Sequence, residues 1–306
     1  MIYTVTLNPA IDVSLFVKDG LAAGRINKSY GMNAEAGGKG INVSKYLKAL
    51  GVESVVCAGF CGTDGKRLQD MLKDEFEVLS VTYPSGNTRT NIKITDGNGI
   101  TTDINGDGPV YDKASVELLK TSVSGRLTSG DTVVISGRPP HGSPSDIYAD
   151  LIRSFSTVEG VKVILDCSGG FLSEGLKAKP YAVKPTCEEL GFADDVETAL
   201  REAARIVSEG VTHCIISMGK DGSVFAGGDP VPVYSKALDV DVHCTTGCGD
   251  AMTAGLAYAF ETKMPSSDMF GMCVAMASAE AETEGTKAPS KERIMELVDA
   301  VRFCGQ

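Results

Sequence analysis

Two hydrophobic rhythms alternate along the chain. "IYTVTL" opens it as a β-rich run, and "GINVSKYLKAL" then sets Val43, Tyr46, Leu47 and Leu50 at the i, i+3, i+4, i+7 spacing of an amphipathic helix. The alternation continues through "ESVVCAG" (strand), "DGKRLQDMLKDE" and "ASVELLKTSV" (helices), "DTVVIS" (strand), "SDIYADLIRSF" (helix), "VKVILD" (strand), "VETALREAARIV" (helix) and "THCIIS" (strand). Strands separated by helical segments predict an α/β fold, a central and mostly parallel sheet flanked by helices on both faces. The nearly unbroken apolar runs "TVVIS", "VKVIL" and "HCIIS" suit strands covered on both sides.

Two regions break this rhythm. "VSLFVKDGLAAGRINKSYGMNAEA" and "TRTNIKITDGNGITTDI" read as short strands joined by glycine turns, without helices between them. They predict a small accessory sheet. Because the two pieces are far apart in sequence, they are expected as excursions, at about 13–30 and 88–105, from one continuous domain spanning 1–306.

Composition narrows the function classes. A chain of 306 residues with 42% hydrophobic content buries a sizeable core, and its longest apolar runs fall far short of a bilayer span. The start "MIYTVTLNP" lacks the features of a signal peptide, so a cytoplasmic protein is expected. The nine cysteines are odd in number and irregular in spacing, which favours reduced thiols. The pairs Cys57/Cys61 and Cys244/Cys248 have a C-x3-C spacing that structural zinc sites seldom use, and they are read as small packing residues. A net charge of −11 argues against nucleic acid as a partner, so any phosphate binding must be local.

In open parallel sheets ligands collect beyond the carboxyl ends of the strands. Asn8 and Asp12 follow the first strand, Ser136 and Arg138 follow "TVVI", Asp166 follows "VKVIL", Lys184 follows "YAV", and Ser217 and Gly219 follow "HCII". Two glycine clusters add to this set. "AGGKGIN" (36–42) is not a Walker A loop, since Asn33 stands at the first glycine position and Gly40 follows Lys39. Its glycines would still let a ligand approach a helix start, with Lys39 supplying charge. "CTTGCGDAMTAG" (244–255) begins like a dinucleotide fingerprint but has Met252 at the third glycine position and lies late in the chain, which disfavours a nicotinamide site. A glycine turn entering a helix offers backbone N–H groups to a phosphoryl group, and Asp250 in the first turn is either an ordinary helix-start carboxylate or a general base.

Seven ordered segments then carry a resemblance across nearly the whole chain: "TLNPAID", "AGGKGIN", "NTRTN", "SGRPP", "VKPTCEEL", "SMGKDG" and "TTGCGDAMTAG". The sequence resembles the ribokinase-like sugar kinases of the phosphofructokinase B branch. The resemblance implies a ribokinase-like fold with the accessory strands as a lid, often a dimer clasp, and ATP with Mg²⁺ as the phosphoryl source. It implies Asp250 as catalytic base and Thr246, Gly247, Cys248 and Gly249 as an anion hole. Asp12, Gly38, Lys39 and Asn42 would hold sugar hydroxyls. Lys39 and Arg89, with Ser136, Arg138 and Lys28 as further candidates, would face the phosphate of a phosphorylated ketohexose. Lys184, Ser217, Gly219 and Gly222 would lie along the nucleotide, and Glu189 would organise magnesium through water. Departures from the family pattern are Thr186 where an Asn is usual, Arg138 in a stretch of small residues, and Cys248 in place of alanine. The implied reaction is phosphorylation of fructose 1-phosphate, with tagatose 6-phosphate and fructose 6-phosphate as alternative acceptors. A sensor that binds sugar phosphate or nucleotide without turnover is the contrasting class, and a dehydrogenase a weaker one.

Overall fold

A computed structural model describes residues 1–283, 285–301, 303 and 304. The strands are β1 (Ile2–Thr6), β2 (Ala10–Val17), β3 (Ser29–Gly37), β4 (Ser54–Phe60), β5 (Glu77–Thr82), β6 (Arg89–Thr95), β7 (Thr101–Asn105), β8 (Thr132–Ser136), β9 (Lys162–Asp166), β10 (Ala182–Val183), β11 (His213–Ser217), β12 (Ser223–Gly227), β13 (Asp229–Ser235) and β14 (Phe303–Cys304). The α-helices are α1 (Lys39–Ala49), α2 (Gly62–Leu72), α3 (Lys113–Ser124), α4 (Ile147–Phe155), α5 (Gly170–Lys177), α6 (Cys187–Leu190), α7 (Val196–Ser208), α8 (Cys248–Glu261), α9 (Ser266–Ala281) and α10 (Lys291–Ala300).

Ten strands form the central sheet in the order β14-β13-β12-β11-β10-β9-β8-β1-β4-β5. From β5 to β11 every neighbouring pair is parallel, and β12, β13 and β14 extend the sheet antiparallel. The strand alternation explains the apolar runs. Val133 and Ile135 of β8 point into a core made with α3, α4 and α7, while Val134 between them points into the opposite core made with α1, α8, α9 and α10. Both faces are therefore dry, and neither could carry the polar half of an amphipathic strand. Helix α8 is buried over most of its length because it is sandwiched between α1, α9 and the sheet.

The two excursions pair with each other. β3-β2-β6-β7 make a separate four-stranded sheet, with Asp12 of β2 opposite both Glu35 of β3 and Asn91 of β6. Its strands reach further toward the core than the sequence pattern showed, since β2 begins at Ala10 and β3 runs to Gly37. Paired residues share a face, which divides the sheet chemically. One face bears Asp12, Ser14, Asn33, Glu35, Asn91 and Lys93; the other bears Val13, Leu15, Met32, Ala34, Ile92, Ile94 and Ile104. The root of the apolar face, at Ile11 and Ala36, packs with Leu68 and Leu72 of α2. Further out, Met32 is 69% and Ile104 55% exposed. Among the described residues no helix is long and apolar enough to cross a membrane.

Candidate active site

Two glycine-led helix starts meet where the central sheet ends. α1 follows Gly38 at φ 115° and α8 follows Gly247 at φ 98°, and neither helix has a side-chain cap. By contrast Asp112, Asp195 and Ser290 cap α3, α7 and α10 with their side chains. A capping side chain satisfies first-turn N–H groups that would otherwise seek a ligand; α1 and α8 have no such side chain, and in α8 Cys248 N makes only a long 3.4 Å bond to the Thr245 carbonyl. The positive φ at both positions is the reason glycine stands there.

Asp250 lies in the first turn of α8 and is buried. Its Oδ2 accepts a hydrogen bond from Asn42 Nδ2 at 2.8 Å, so one turn of α1 orients the carboxylate of α8. Burial pushes the Asp250 carboxyl up to about 6, with Lys39 and Asn42 pulling against the rise and Asp166 adding to it. A carboxylate tuned close to neutrality, next to helix-start amides, can take a proton from an attacking hydroxyl.

Asp166, at the end of β9, is the hub of the surrounding charges. Its Oδ1 lies 3.3 Å from Lys39 Nζ and 3.5 Å from Lys184 Nζ. Its Oδ2 accepts from Ser136 Oγ at 3.2 Å and Thr253 Oγ1 at 3.3 Å. Burial alone would raise this carboxyl, but Lys184 and Lys39 outweigh it and hold it below its ordinary value. Lys39 in turn is held above the usual lysine range, chiefly by Asp166. The sequence pattern put Asp166 at a strand end without a role, and only the convergence of β8, β9, α1 and α8 reveals it as the group that keeps two ammonium ions in one place.

At the root of the small sheet, Asp12 Oδ1 accepts from Asn91 Nδ2 at 2.8 Å, and Arg89 Nε donates to the Asn8 carbonyl at 3.2 Å. Burial lowers the Arg89 guanidinium from its ordinary value, with Arg138 repelling it and Asp12 acting the other way. Arg89 thus lies within electrostatic reach of a second guanidinium, on the exposed Arg138, and like charges of this kind suit an anion. The side-chain oxygens Oδ1 of Asn42 and Asn91 are buried without a protein partner.

The other residues singled out from the sequence are placed as follows. Ser136 spends its hydroxyl on Asp166. Ser217 ends β11 and forms a parallel bridge with Thr186, while Gly219 and Gly222 bracket the short turn that follows. Thr246 is exposed and Cys248 and Gly249 half-buried at the start of α8. Thr186 caps α6: its Oγ1 accepts from Glu189 N at 3.0 Å, and Glu189 Oε2 accepts from Thr186 N at 2.9 Å. A hydroxyl therefore does at this position what a side-chain amide would do as a helix cap. Lys28 is not brought to the cluster. It precedes Ser29, which pairs with Val17, whereas Arg89 pairs with Ala10, so roughly 20 Å of β2 separates them at strand rise.

A parallel α/β sheet with a polar cradle at its carboxyl edge and a separate accessory sheet beside it is an arrangement suited to phosphoryl transfer. The chain is a member of the pfkB family of carbohydrate kinases, which matches residues 5–293. It is an ATP-dependent sugar kinase, which sets the dehydrogenase reading aside. It is similar to the 1-phosphofructokinase of Borreliella burgdorferi, at 34% identity over 92% of each chain. It is also similar to the 1-phosphofructokinase of Bacillus subtilis, at 31% identity over 99% of each chain. Among solved structures it is similar to phosphofructokinase-2 from Escherichia coli in complex with potassium, with a TM-score of 0.91 and 24% identity over 98% of each chain.

Proposed function

We propose that this kinase transfers the γ-phosphoryl group of ATP to a hydroxyl of a phosphorylated ketohexose, with fructose 1-phosphate as the preferred acceptor and fructose 1,6-bisphosphate as product. The observation that carries the reading is the placement of Asp250: a buried carboxylate in the first turn of a glycine-led helix, oriented by Asn42 and flanked by Lys39. Asp250 takes the proton of the attacking hydroxyl while the amides of Gly247, Cys248 and Gly249 receive the charge that develops on the phosphoryl group. Thr246, Lys184, Ser217, Gly219 and Gly222 lie along the nucleotide.

The acceptor's own phosphate sits between Arg89 and Arg138, with Lys39 nearby. Its hydroxyls donate to the free amide oxygens of Asn42 and Asn91 and to Asp12. The names carried by the curated relatives favour fructose 1-phosphate over tagatose 6-phosphate and fructose 6-phosphate.

Magnesium fits the donor set here only as an ion carried by the nucleotide. Among the described residues no cluster of three or more His, Cys, Asp or Glu side chains could hold a metal, and magnesium bound to phosphates needs just one or two protein carboxylates. Glu189 would serve it through water, its other oxygen being committed to the α6 cap. Bound there, the ion supplies positive charge to the phosphates.

The small sheet acts as a lid over the sugar with its polar face, limiting hydrolysis of ATP. Its apolar face, bare at Met32 and Ile104, closes against the same face of a second copy to form a homodimer. The test of the reaction is ADP release by the purified protein with MgATP and each of the three sugar phosphates in parallel. Preference for fructose 1-phosphate that disappears in Asp250→Asn is expected. Sugar-phosphate binding without ADP release would instead mark a sensor.

A further inference from the structure

Glu280, near the end of α9, is completely buried, yet the phosphoryl-transfer reading gives it no task. Its Oε1 accepts the phenolic proton of Tyr46, from α1, at 2.7 Å, and its Oε2 is buried without a partner. The pair lies directly under the turn that leads into α8. A β-carbon on Gly247 would stand 2.5 Å from Tyr46 Oη and 2.6 Å from Glu280 Oε1, so the backbone of the turn rests on these two oxygens with no space between.

We infer that Tyr46 and Glu280 are positioning residues for the phosphate cradle, with Glu280 acting as an uncharged carboxyl that supports Gly247 from below. The inference rests on the reading of the 246–249 turn as the anion hole. Its physical basis is the contrast between the two states of the carboxyl. Protonated, Glu280 is a neutral prop that completes the packing of the turn. Ionised, it sets a negative charge immediately behind amides that must receive a negatively charged group, and a carboxylate oxygen without a partner in a dry site is costly in itself.

Burial favours the neutral state, against the pull of most of the neighbouring groups. Burial pushes the Glu280 carboxyl up to about 8, with Tyr46 and Thr283 opposing the rise and Asp250 adding to it. From α1 it is faced by Tyr46, whose own proton burial holds firmly, and at longer range by Lys45, which donates to the Ala36 carbonyl. From α8 it is faced by Asp250 and by Cys248, whose thiol burial pushes up to about 12. Asp250 is raised as well, so at neutral pH the base is ionised while the prop beneath the cradle keeps its proton.

The experiment is a pH profile of kcat and of sugar-phosphate KM, from pH 5.5 to 9.5, for wild type, Glu280→Gln, Glu280→Ala and Tyr46→Phe, with Asp250→Asn as control and melting temperatures for each. Wild-type kcat is expected to fall above about pH 8, and Glu280→Gln to move that fall upward by roughly one pH unit or more. At pH 7 Glu280→Ala is expected to lose about tenfold in kcat with KM changed by less than about threefold, Gln recovering most of the loss. Tyr46→Phe is expected to lose kcat in the same sense, and it carries the test should Glu280→Ala fail to fold. An unmoved alkaline fall in Glu280→Gln, or undiminished kcat in Tyr46→Phe, overturns the inference alone. Wild-type turnover no greater than that of Asp250→Asn overturns the reading of the turn, and this inference with it.

Discussion

Asn42 and Asp250 are 208 positions apart in the chain and joined by one 2.8 Å hydrogen bond between the first turns of α1 and α8. The bond has a chemical sign. It favours the ionised carboxylate, and so works against the burial that raises the Asp250 carboxyl. Asn42→Ala is expected to shift the acid limb of kcat/KM to higher pH and lower kcat at pH 7 by roughly tenfold. An unchanged profile would separate Asn42 from the base.

Asp250→Asn removes the proton acceptor while keeping the shape of the site. Turnover is expected to fall by at least about 100-fold, with ATP and sugar-phosphate binding retained. In the wild type the base must be ionised, so kcat/KM should rise with pH through the Asp250 value of about 6 and decline below it. Steady-state ADP release between pH 5 and 8 checks both statements.

Asp166→Asn deprives Lys39 and Lys184 of their shared carboxylate, and Lys184 is only 2% exposed. Breaking such a buried set is expected to cost about 3 kcal/mol, since a charge is left without its partner. The sign with pH follows from the lowered Asp166 carboxyl. Its contribution is present above the ordinary carboxylate value and is lost as pH falls through the folded-state value. Chemical denaturation at pH 7 and at pH 3 should therefore show a larger gap between wild type and variant at pH 7.

Gly247→Ala tests the cradle's backbone. An alanine there must hold φ near 98° and set its methyl within 2.6 Å of two buried oxygens, so the turn has to move. A loss of kcat of about 100-fold is expected, with a modest fall in melting temperature. Activity close to wild type would show that the turn does not hold the transferred group.

The apolar face of the small sheet gives a prediction about assembly. Met32→Glu with Ile104→Glu is expected to weaken self-association by at least tenfold, roughly 1.4 kcal/mol, and to raise the sugar-phosphate KM. Sedimentation equilibrium reads the first and kinetics the second. A wild-type protein that is monomeric at micromolar concentration would sink the dimer.

Much of the fold was legible because its signals are local. Val133, Val134 and Ile135 in succession report a strand covered on both sides, and Val43, Tyr46, Leu47 and Leu50 report a helix with one apolar face. The glycines at 38 and 247 were visible as punctuation before helices. Other features gave no local signal. Glu280 sits in "SAEAETEG", to which the sequence pattern gave no role, and only the packing of α9 on α8, with Tyr46 reaching it from α1, buries it. Thr186 looked like a departure from the family pattern, but its cap with Glu189 depends on the hydroxyl oxygen alone, a property shared with the amide it replaces.

By itself, then, the sequence determined the alternation of strands and helices, the both-sided burial of the central sheet, the two glycine-led helix starts and the family to which the chain belongs. These depend on side-chain periodicity and backbone freedom, which act over a few residues. Tertiary structure alone decided that Asp166 would hold Lys39 and Lys184 together, that Asn42 would orient Asp250, that Lys28 would lie a strand's length from Arg89, and that Glu280 would end up beneath Gly247. Burial and Coulomb interaction set the protonation of these groups, and both depend on which distant segments the fold brings within a few ångströms.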